Sequence, residues 1–285
     1  MALNTVINTN VMALTAHRNL GAVGNRQAKA NQKLSSGKKI NSAADDAAGL
    51  AISDKMKSQI RGLDMATKNA EDGTSLIQTT EGSMTEITNM MQRIRELTIQ
   101  GTNGTNTTED RDKIKEEVGK LYDEITATAN RTQFNKQNLL TGALSEGIKL
   151  AIGANGGQIV TVSLQSANMQ AESLLSMGKV SFLGSLSGNW EKGDNTVMLN
   201  IIDTSLGKVA KQRAKLGAYQ NTLDYTINSL KNSRENLSSA NARIEDTDMA
   251  KEMMELTQAN VLQQAATSML AQANQAPNSI TQLLG

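Results

Sequence analysis

The chain ends in the stretch ANVLQQAATSMLAQANQAPNSITQL, residues 259–283, in which apolar residues recur in steps of three and four. That spacing is typical of an α-helix with an uninterrupted coiled-coil seam. Alanine dominates the seam, and no charged residue follows Glu255, so ion pairs cannot support the helix. Burying an alanine methyl returns about 0.8 kcal/mol at most, whereas ordering one backbone residue costs about 1–2 kcal/mol. We therefore expect this helix to assemble with other copies or another segment; the alternative is a helix that closes an ordinary bundle.

Residues 3–34 carry a similar apolar stripe at the other end of the chain. Within it, Asn10, His17, Gly24 and Asn31 recur every seventh residue, and such small or polar positions can set the register of helix pairing rather than its strength. We predict that the apolar stripes of the two terminal helices form one common assembly seam. Its predicted members are Leu3, Ile7, Leu14, Leu20, Leu262, Ala266, Met269, Ala273, Ile280 and Leu283.

Composition limits the classes of function. Lys+Arg 29 against Asp+Glu 28 leave a net charge of +1, which argues against a nucleic-acid binder. The absence of cysteine excludes disulfides and thiolate metal sites and suits an extracellular protein. His17 is the only histidine, so a multi-histidine metal site is impossible, and we expect no metal and no cofactor. Aromatic residues make up only 2%, so the core should be aliphatic and rich in methionine.

The sequence also bears on membranes and export. No apolar run is long enough to cross a bilayer, so we expect no membrane partner. The N-terminus lacks the basic and apolar regions of a secretory signal, and an exported chain would leave by a route that cleaves no such signal.

A structured connector is predicted between residues 35 and 53, where Gly37 and Asn41 interrupt the helical pattern. The adjacent Asp45 and Asp46 could belong to a metal or acid–base site. Because no other ligands lie nearby in the sequence, we interpret them as helix caps.

Two helices should follow the connector. The apolar seam predicts one long helix over residues 56–100, which the Gly, Thr and Asn cluster at 101–108 ends. Asn106 with Glu109 resembles a capping arrangement, and the apolar pattern over 114–129 predicts a shorter helix that doubles back.

After residue 131 the spacing of apolar residues changes from the helical period to the alternation of a β-strand. Residues 148–152 and 160–164 alternate around an Asn-Gly-Gly turn at 155–157, which predicts a β-hairpin. This loop lacks the lysine and the following helix of a phosphate-binding loop.

Residues 165–196 are rich in Ser, Gly and Asn, so we expect a surface excursion with Phe182 and Trp190 as isolated anchors. Apolar residues then recur every seven residues and predict a second long helix over 197–243. The predicted fold class is mainly α, with long antiparallel helices forming a rod, coiled-coil termini and a small β-hairpin region.

Five segments closely resemble bacterial flagellin, and the resemblance covers about the first 165 residues and the last 90. They are MALNTVINTNVMAL at 1–14, LSSGKKINSAADDAAGLAISDKM at 34–56, MQRIRELTIQ at 91–100, TQFNKQNLLTG at 132–142 and VLQQAATSMLAQANQAPNSITQLL at 261–284.

The resemblance implies a domain organisation. It places an inner coiled-coil domain at 1–40 and 250–285, a connecting spoke at 41–55, a rod-like helical domain at 56–165 and 197–249, and a short variable surface segment at 166–196.

The resemblance implies a structural subunit that polymerises through its terminal helices into the extracellular flagellar filament for motility. The alternative is a hook–filament junction protein of the same superfamily. An enzyme is not expected, because the metalloprotease insertion of some flagellins needs an HExxH helix that His17 alone cannot supply.

The partners implied by the resemblance are other copies of the chain, the flagellar cap and hook–filament junction proteins, the flagellin export chaperone and the flagellar type III export apparatus. The host Toll-like receptor for flagellin is a further implied partner. Its candidate contacts are Gln92, Arg93 and Leu97 on the first long helix and Glu117 on the next. Arg93 and Leu97 lie four apart, so we expect an exposed leucine beside an arginine.

Overall fold

The computed structural model describes residues 9–143, 146–163, 168–192 and 195–284, with the backbone alone at 191–192 and 276–284. The predicted mainly α fold is confirmed, since the described residues form seven helices and two antiparallel strand pairs. In chain order these are α1 Val11–Ser36, α2 Ala47–Thr102, α3 Thr108–Arg131, β1 Gln133–Phe134, β2 Gln137–Asn138, β3 Ile148–Ala151, β4 Ile159–Val162, α4 Ala171–Leu175, α5 Lys179–Lys192, α6 Thr196–Glu245 and α7 Met249–Leu284.

The chain divides into two compact units. The terminal unit comprises Met1–Ser58 and Glu235–Gly285, and the central unit comprises Gln59–Arg234. The long helices α2 and α6 therefore contribute residues to both. The terminal unit is larger than the inner domain predicted at 1–40 and 250–285, because it also includes the connector and the adjoining ends of α2 and α6.

In the central unit, α2 and α6 pack along the heptad seam that the sequence predicts. Apolar side chains spaced by seven residues interlock, and nearly all are withdrawn from water, which is the packing expected of a coiled coil. The buried members include Ala70, Ile77, Met84 and Met91 of α2 and Val209, Leu216 and Leu223 of α6.

Exposed ion pairs show that α2 and α6 run antiparallel in this unit. Arg95 bonds Asp203 at 2.8 Å, Arg213 lies 3.5 Å from Glu81, and Arg234 bonds Asp64 at 2.9 Å. Along these three pairs the residue number on α6 rises from 203 to 234 while the residue number on α2 falls from 95 to 64. Such surface pairs contribute only about 0–1 kcal/mol each, so the seam rather than the charges holds the helices together.

The cap of α3 lies one residue later than predicted. The Thr107 side chain accepts the N–H of Asp110 at 3.3 Å, and the Asp110 carboxylate accepts the N–H of Thr107 at 3.2 Å. Asn106 instead donates its amide to the carbonyl of Gln100 at 2.6 Å and closes the end of α2. The prediction of Asn106 and Glu109 was wrong because a Thr-x-x-Asp box satisfies two backbone donors reciprocally at this position.

The prediction of a surface excursion at 165–196 was also wrong for its described residues. Residues 171–175 and 179–192 are helices α4 and α5, whose apolar side chains complete the core beside α3. The Tyr122 and Phe182 rings lie 6.0 Å apart, and the Tyr122 hydroxyl donates to the Met177 carbonyl at 2.8 Å. Phe182 and Trp190 are buried anchors as predicted. Glycine and serine concealed the helices because their low propensity is overridden by tertiary packing.

Trp190 lies directly on the last turn of α2. Its indole N–H donates to the Thr98 carbonyl at 3.1 Å, and a Cβ added to Gly101 would lie 2.2 Å from the indole ring. We expect Gly101→Ala to lower the free energy of unfolding by about 1–3 kcal/mol, because the methyl overpacks this contact.

In a Trp190→Ala background the sign should reverse. Alanine is favoured over glycine in a helix by about 1 kcal/mol, so Gly101→Ala should then stabilise the chain. Urea unfolding followed by circular dichroism measures both backgrounds. An equal loss in the two backgrounds would show that the indole is not the cause.

The predicted hairpin is confirmed within its described part. Residues Ile148–Ala151 pair antiparallel with Ile159–Val162, and Leu164 lies outside the described residues. A second strand pair, 133–134 with 137–138, was not predicted. Its turn places Asn135 and Lys136 at φ 49° and 64°, and only the asparagine signals such a turn in the sequence.

The connector between α1 and α2 is shorter than the predicted spoke. α1 ends where Gly37, at φ 69°, donates its N–H to the Lys33 carbonyl at 2.8 Å. Asp46 then accepts the N–H of Gly49 at 2.9 Å and caps α2, so residues 47–55 are helical. The prediction that Asp45 also caps a helix was wrong. It accepts the Ser42 hydroxyl and the N–H groups of Asn41 and Ser42 within the loop, and these hydrogen bonds lower its pKa.

Candidate assembly surface

In the terminal unit, α1 and α7 pair along their length in antiparallel register. Asn10 caps α1 by accepting the N–H of Ala13 and donates its amide to the Ala273 carbonyl at 2.7 Å. Further along, the Gln27 amide donates to the Asn260 side chain at 2.7 Å. Asn10 therefore sets register as the sequence predicts.

The other predicted register positions behave differently. His17 and Asn31 are exposed and Gly24 is half-buried. The buried charge in the seam is Glu252, which is 6% exposed and lies 3.5 Å from the Lys33 ammonium.

The helices meet mainly through alanine. Ala30, Ala259 and Ala273 are buried, and the surrounding seam positions are half-buried. Of the predicted seam residues, Leu20 and Ala266 are half-buried and Ala273 is buried between the helices. Small side chains permit close approach of the helices but remove little apolar area from water.

Three predicted seam residues lie outside this contact. Leu14 is 55% exposed, Leu262 40% and Met269 62%. On α7 the inward positions beside the alanine column are Gln263 and Leu270, one residue further along than predicted. One residue is 100° of rotation on a helix, which moves Leu262 and Met269 to the flank. Leu3 and Ile7 lie outside the described residues, as do the side chains of Ile280 and Leu283.

Leu262 and Met269 of α7, together with apolar side chains of α1, form an apolar groove along one flank of the α1–α7 pair. Its cavity volume is about 500 Å³. We call it the terminal groove. It is lined by Val11, Met12, Thr15, Ala16, Asn19, Val23, Leu262, Ala265, Ala266 and Met269. A second apolar depression on α7 is lined by Met253, Met254, Thr257, Gln258, Val261 and Leu262. Contiguous exposed apolar surface of this kind is typical of an interaction site.

The connector is fastened to the end of α6 by a buried carboxylate. Glu245, 3% exposed, accepts from the Lys38 and Lys57 ammonium groups at 2.8 and 2.6 Å and from the Ser53 hydroxyl at 2.9 Å. The Asn241 side-chain amide donates a further hydrogen bond to this carboxylate at 3.2 Å.

Backbone hydrogen bonds run beside this carboxylate. The N–H of Lys39 donates to the Glu245 carbonyl at 2.6 Å, and that of Thr247 donates to the Gly37 carbonyl at 3.0 Å. We call these contacts the connector clip. Burial alone would raise the pKa of Glu245, but the hydrogen bonds from lysine, serine and asparagine outweigh it and lower the pKa to about 2.

The four receptor candidates do not share one surface. Arg93, exposed on α2, bonds Glu117 of α3 at 3.0 Å and Glu96 at 3.2 Å. Gln92 is exposed beside them. Leu97, by contrast, is 1% exposed, so the prediction of an exposed leucine was wrong. Leu97 belongs to the buried core cluster of the central unit, whose other members include Ile94 of α2 and Ile114 of α3.

Comparison with known proteins agrees with this architecture. Residues 7–145 match the family model of the bacterial flagellin N-terminal helical region, and residues 199–284 match that of the C-terminal helical region. A flagellin of Halalkalibacterium halodurans is 44% identical over 280 residues, which span 98% of this chain and 99% of that protein. A flagellar filament 31.3 kDa core protein of Treponema maltophilum is 42% identical over 288 residues, with the same two coverages of 98% and 99%.

A solved structure of a flagellar hook-associated protein from Vibrio parahaemolyticus superposes with a TM-score of 0.58 at 16% identity, over 71% of this chain and 100% of that one. At this identity the likeness concerns the fold alone.

Paired terminal helices with an exposed apolar groove along one flank are typical of a subunit that assembles with other chains. No helix in the described part of the chain combines the length and hydropathy needed to cross a bilayer. The chain belongs to the bacterial flagellin family, as both family matches and the near full-length relatives show. It is a structural subunit of the extracellular flagellar filament and not an enzyme, and the junction-protein alternative is not favoured.

Proposed function

We propose that copies of this chain polymerise through the terminal groove, with the terminal unit forming the inner layer of the filament. The observation that carries this proposal is the exposure of the larger apolar side chains on α1 and α7. Val11 and Met12 of α1 line the groove and are 49% and 62% exposed, and Met269 of α7 is 62% exposed. Covering the exposed half of such a side chain returns about 1 kcal/mol, more than an alanine contact can.

The exposed groove also explains why the terminal unit would be stabilised by a second copy of the chain. The α1–α7 pair buries few large side chains of its own, so the isolated pair is weakly stabilised. A neighbouring copy that fills the groove stabilises both surfaces at once. Polymerisation and helix order in the terminal unit are therefore coupled.

A single introduced cysteine tests the groove directly, because the chain has no cysteine of its own. We expect the thiol of Met269→Cys to react at least tenfold more slowly with a maleimide in the filament than in the monomer, about 1.4 kcal/mol of protection. Thr105→Cys, in the exposed polar loop between α2 and α3, is the control and should react alike in both states. Equal reactivity of Met269→Cys in both states would remove the groove from the interface.

We also propose the partners that handle the free chain and the ends of the filament. The second apolar depression on α7, around Met254 and Val261, is exposed before assembly and suits an export chaperone that covers it. The chain then passes through the flagellar type III export apparatus. The hook–filament junction and cap proteins contact the two ends of the polymer.

A host receptor contact is proposed at the Arg93–Glu117 pair with Gln92. We expect the monomer to activate the Toll-like receptor for flagellin and Arg93→Ala to weaken activation at least tenfold, about 1.4 kcal/mol. Arg95→Ala is the matched control, because Arg95 is similarly exposed but bonds Asp203 on α6. A reporter-cell assay compares the two, and equal potency of both variants would refute the assignment. Leu97→Ala serves no such test, since it would leave a core cavity at a cost of about 2–5 kcal/mol.

A further inference from the structure

The exposed methionines of this chain are concentrated on the terminal helices. Five methionine side chains of α1 and α7 lie outside the buried seam and are about half exposed or more. They are Met12 at 62% exposure, Met249 at 49%, Met253 at 51%, Met254 at 67% and Met269 at 62%, and we call them the terminal methionines. Met12 and Met269 line the terminal groove, and Met253 and Met254 line the neighbouring depression on α7.

The central unit provides the contrast. Met84, Met91 and Met198 are 0% exposed, sealed between α2, α6 and their neighbours. Met65 of α2 is 56% exposed but lies in the central unit, away from α1 and α7 in the sequence. Among the described residues, the buried methionines and Met65, which is exposed in the central unit, therefore serve as internal references.

An exposed thioether is a nucleophile toward hydroperoxides. One oxygen atom is transferred from hydrogen peroxide to the methionine sulfur: an S–O bond forms, the O–O bond breaks, the sulfur loses two electrons, and the remaining peroxide oxygen leaves as water. The product, methionine sulfoxide, is polar and chiral, and reductases restore the thioether. Access of the peroxide decides which methionines react.

In the terminal groove the sulfoxide oxygen would be a poorly satisfied acceptor. The lining side chains that carry donors are Thr15 and Asn19, and the Thr15 hydroxyl already donates to the Val11 carbonyl at 2.8 Å. In the monomer, water satisfies the new acceptor. Once a second copy covers the groove, that water is lost, so oxidation opposes the assembled state in particular.

We propose that the terminal methionines are a peroxide-sensitive modification site that decides whether a free subunit can join the filament. The proposal rests on the assembly role of the terminal groove. Oxidised monomers are excluded from polymerisation, whereas in assembled subunits Met12 and Met269 are protected because the neighbouring copy in the terminal groove covers them. Reduction of the sulfoxides returns the subunit to the competent pool.

The experiment treats purified monomer with hydrogen peroxide, quenches it, maps the sulfoxides by peptide mass spectrometry and measures the critical concentration of seeded polymerisation. We expect oxidation at the terminal methionines and Met65, none at Met84, Met91 or Met198, and a rise in critical concentration of about tenfold or more, equivalent to about 1.4 kcal/mol. In preformed filaments Met12 and Met269 should oxidise at least about tenfold more slowly than in the monomer.

Two variants identify the responsible sulfurs. Replacing all five terminal methionines with leucine keeps apolar volume and helix propensity, and this variant should polymerise equally well with and without peroxide. Met65→Leu should remain as sensitive as the parent chain. Treatment of oxidised parent monomer with methionine sulfoxide reductase and a thiol reductant should restore its critical concentration, which tests the same sulfurs without mutation.

The outcomes separate this inference from the assembly proposal. Normal polymerisation of parent monomer whose terminal methionines are fully oxidised overturns the inference, as does loss of polymerisation that the reductase does not reverse. Either result leaves assembly through the groove standing, because untreated monomer still polymerises. Equal oxidation of Met12 and Met269 in filament and monomer would instead refute the groove as the interface.

Discussion

Leu262→Asp and Met269→Asp should each abolish polymerisation of the purified chain. Both side chains line the terminal groove, and an aspartate covered there by a second copy would be a buried charge without a partner, at a cost of several kcal/mol. We expect the critical concentration for seeded growth to rise roughly a hundredfold or more, since about 2.8 kcal/mol suffices for that factor. Electron microscopy and sedimentation measure the loss.

The monomer itself should tolerate these substitutions. Leu262 and Met269 are 40% and 62% exposed, so the carboxylate stays hydrated until a neighbour arrives. Gln264→Asp is the matched control, because Gln264 is exposed on the other flank of the same helix. It adds the same charge to every copy and should polymerise almost normally. Filaments of normal length from Leu262→Asp would show that this flank faces solvent in the polymer.

Glu245→Gln should open the connector clip. Glutamine keeps the shape of the side chain but leaves the Lys38 and Lys57 ammonium groups without their shared carboxylate. A pKa of about 2 in the fold against an ordinary value of 4.5 corresponds to about 3 kcal/mol of stabilisation at neutral pH. Hydrogen exchange at the amides of Lys39 and Thr247 should therefore accelerate about a hundredfold.

The pH dependence of the clip follows from the same carboxylate. Its folded-state pKa lies below the unfolded value, so the stabilisation is fully present above about pH 4.5 and is lost as the pH falls toward 2. In Glu245→Gln, exchange at these amides should lose this acid dependence. Glu255→Gln removes an exposed carboxylate of the same unit and should leave the exchange unchanged. An unaltered rate in Glu245→Gln would mean that the backbone hydrogen bonds alone hold the clip.

Periodicity determined the elements with strong local signals. The heptads of α2 and α6 were predictable because a repeat of seven apolar positions is satisfied only by a helix with a buried stripe. Antiparallel pairing of the terminal helices followed from two stripes at the ends of a chain that folds back. The hairpin was predictable because strict alternation around Asn-Gly-Gly fits few other conformations.

Residues 171–175 and 179–192 are helical although their composition does not predict a helix. Their glycines and serines argue against helix, yet Leu174, Phe182, Leu186 and Trp190 are buried against the rest of the central unit. Burial of four large side chains outweighs a propensity deficit of about 1 kcal/mol per glycine. That gain exists only once α3 is in place to receive them.

The helical class, the long seams, the hairpin, the cap at Asp46 and, through the motifs, the family were all predictable from the amino-acid sequence. Long-range packing determines which of two adjacent apolar faces on α7 meets α1, and why Leu97 is buried while Arg93 is exposed. Apolar residues in steps of three and four predict an apolar stripe along a helix but not which helix packs against it. Rotating the helix by 100°, the angle of one residue, brings different side chains into the contact and leaves the sequence pattern unchanged. The choice rests on summed packing and hydrogen bonds between residues as distant as Asn10 and Ala273, which no local segment contains.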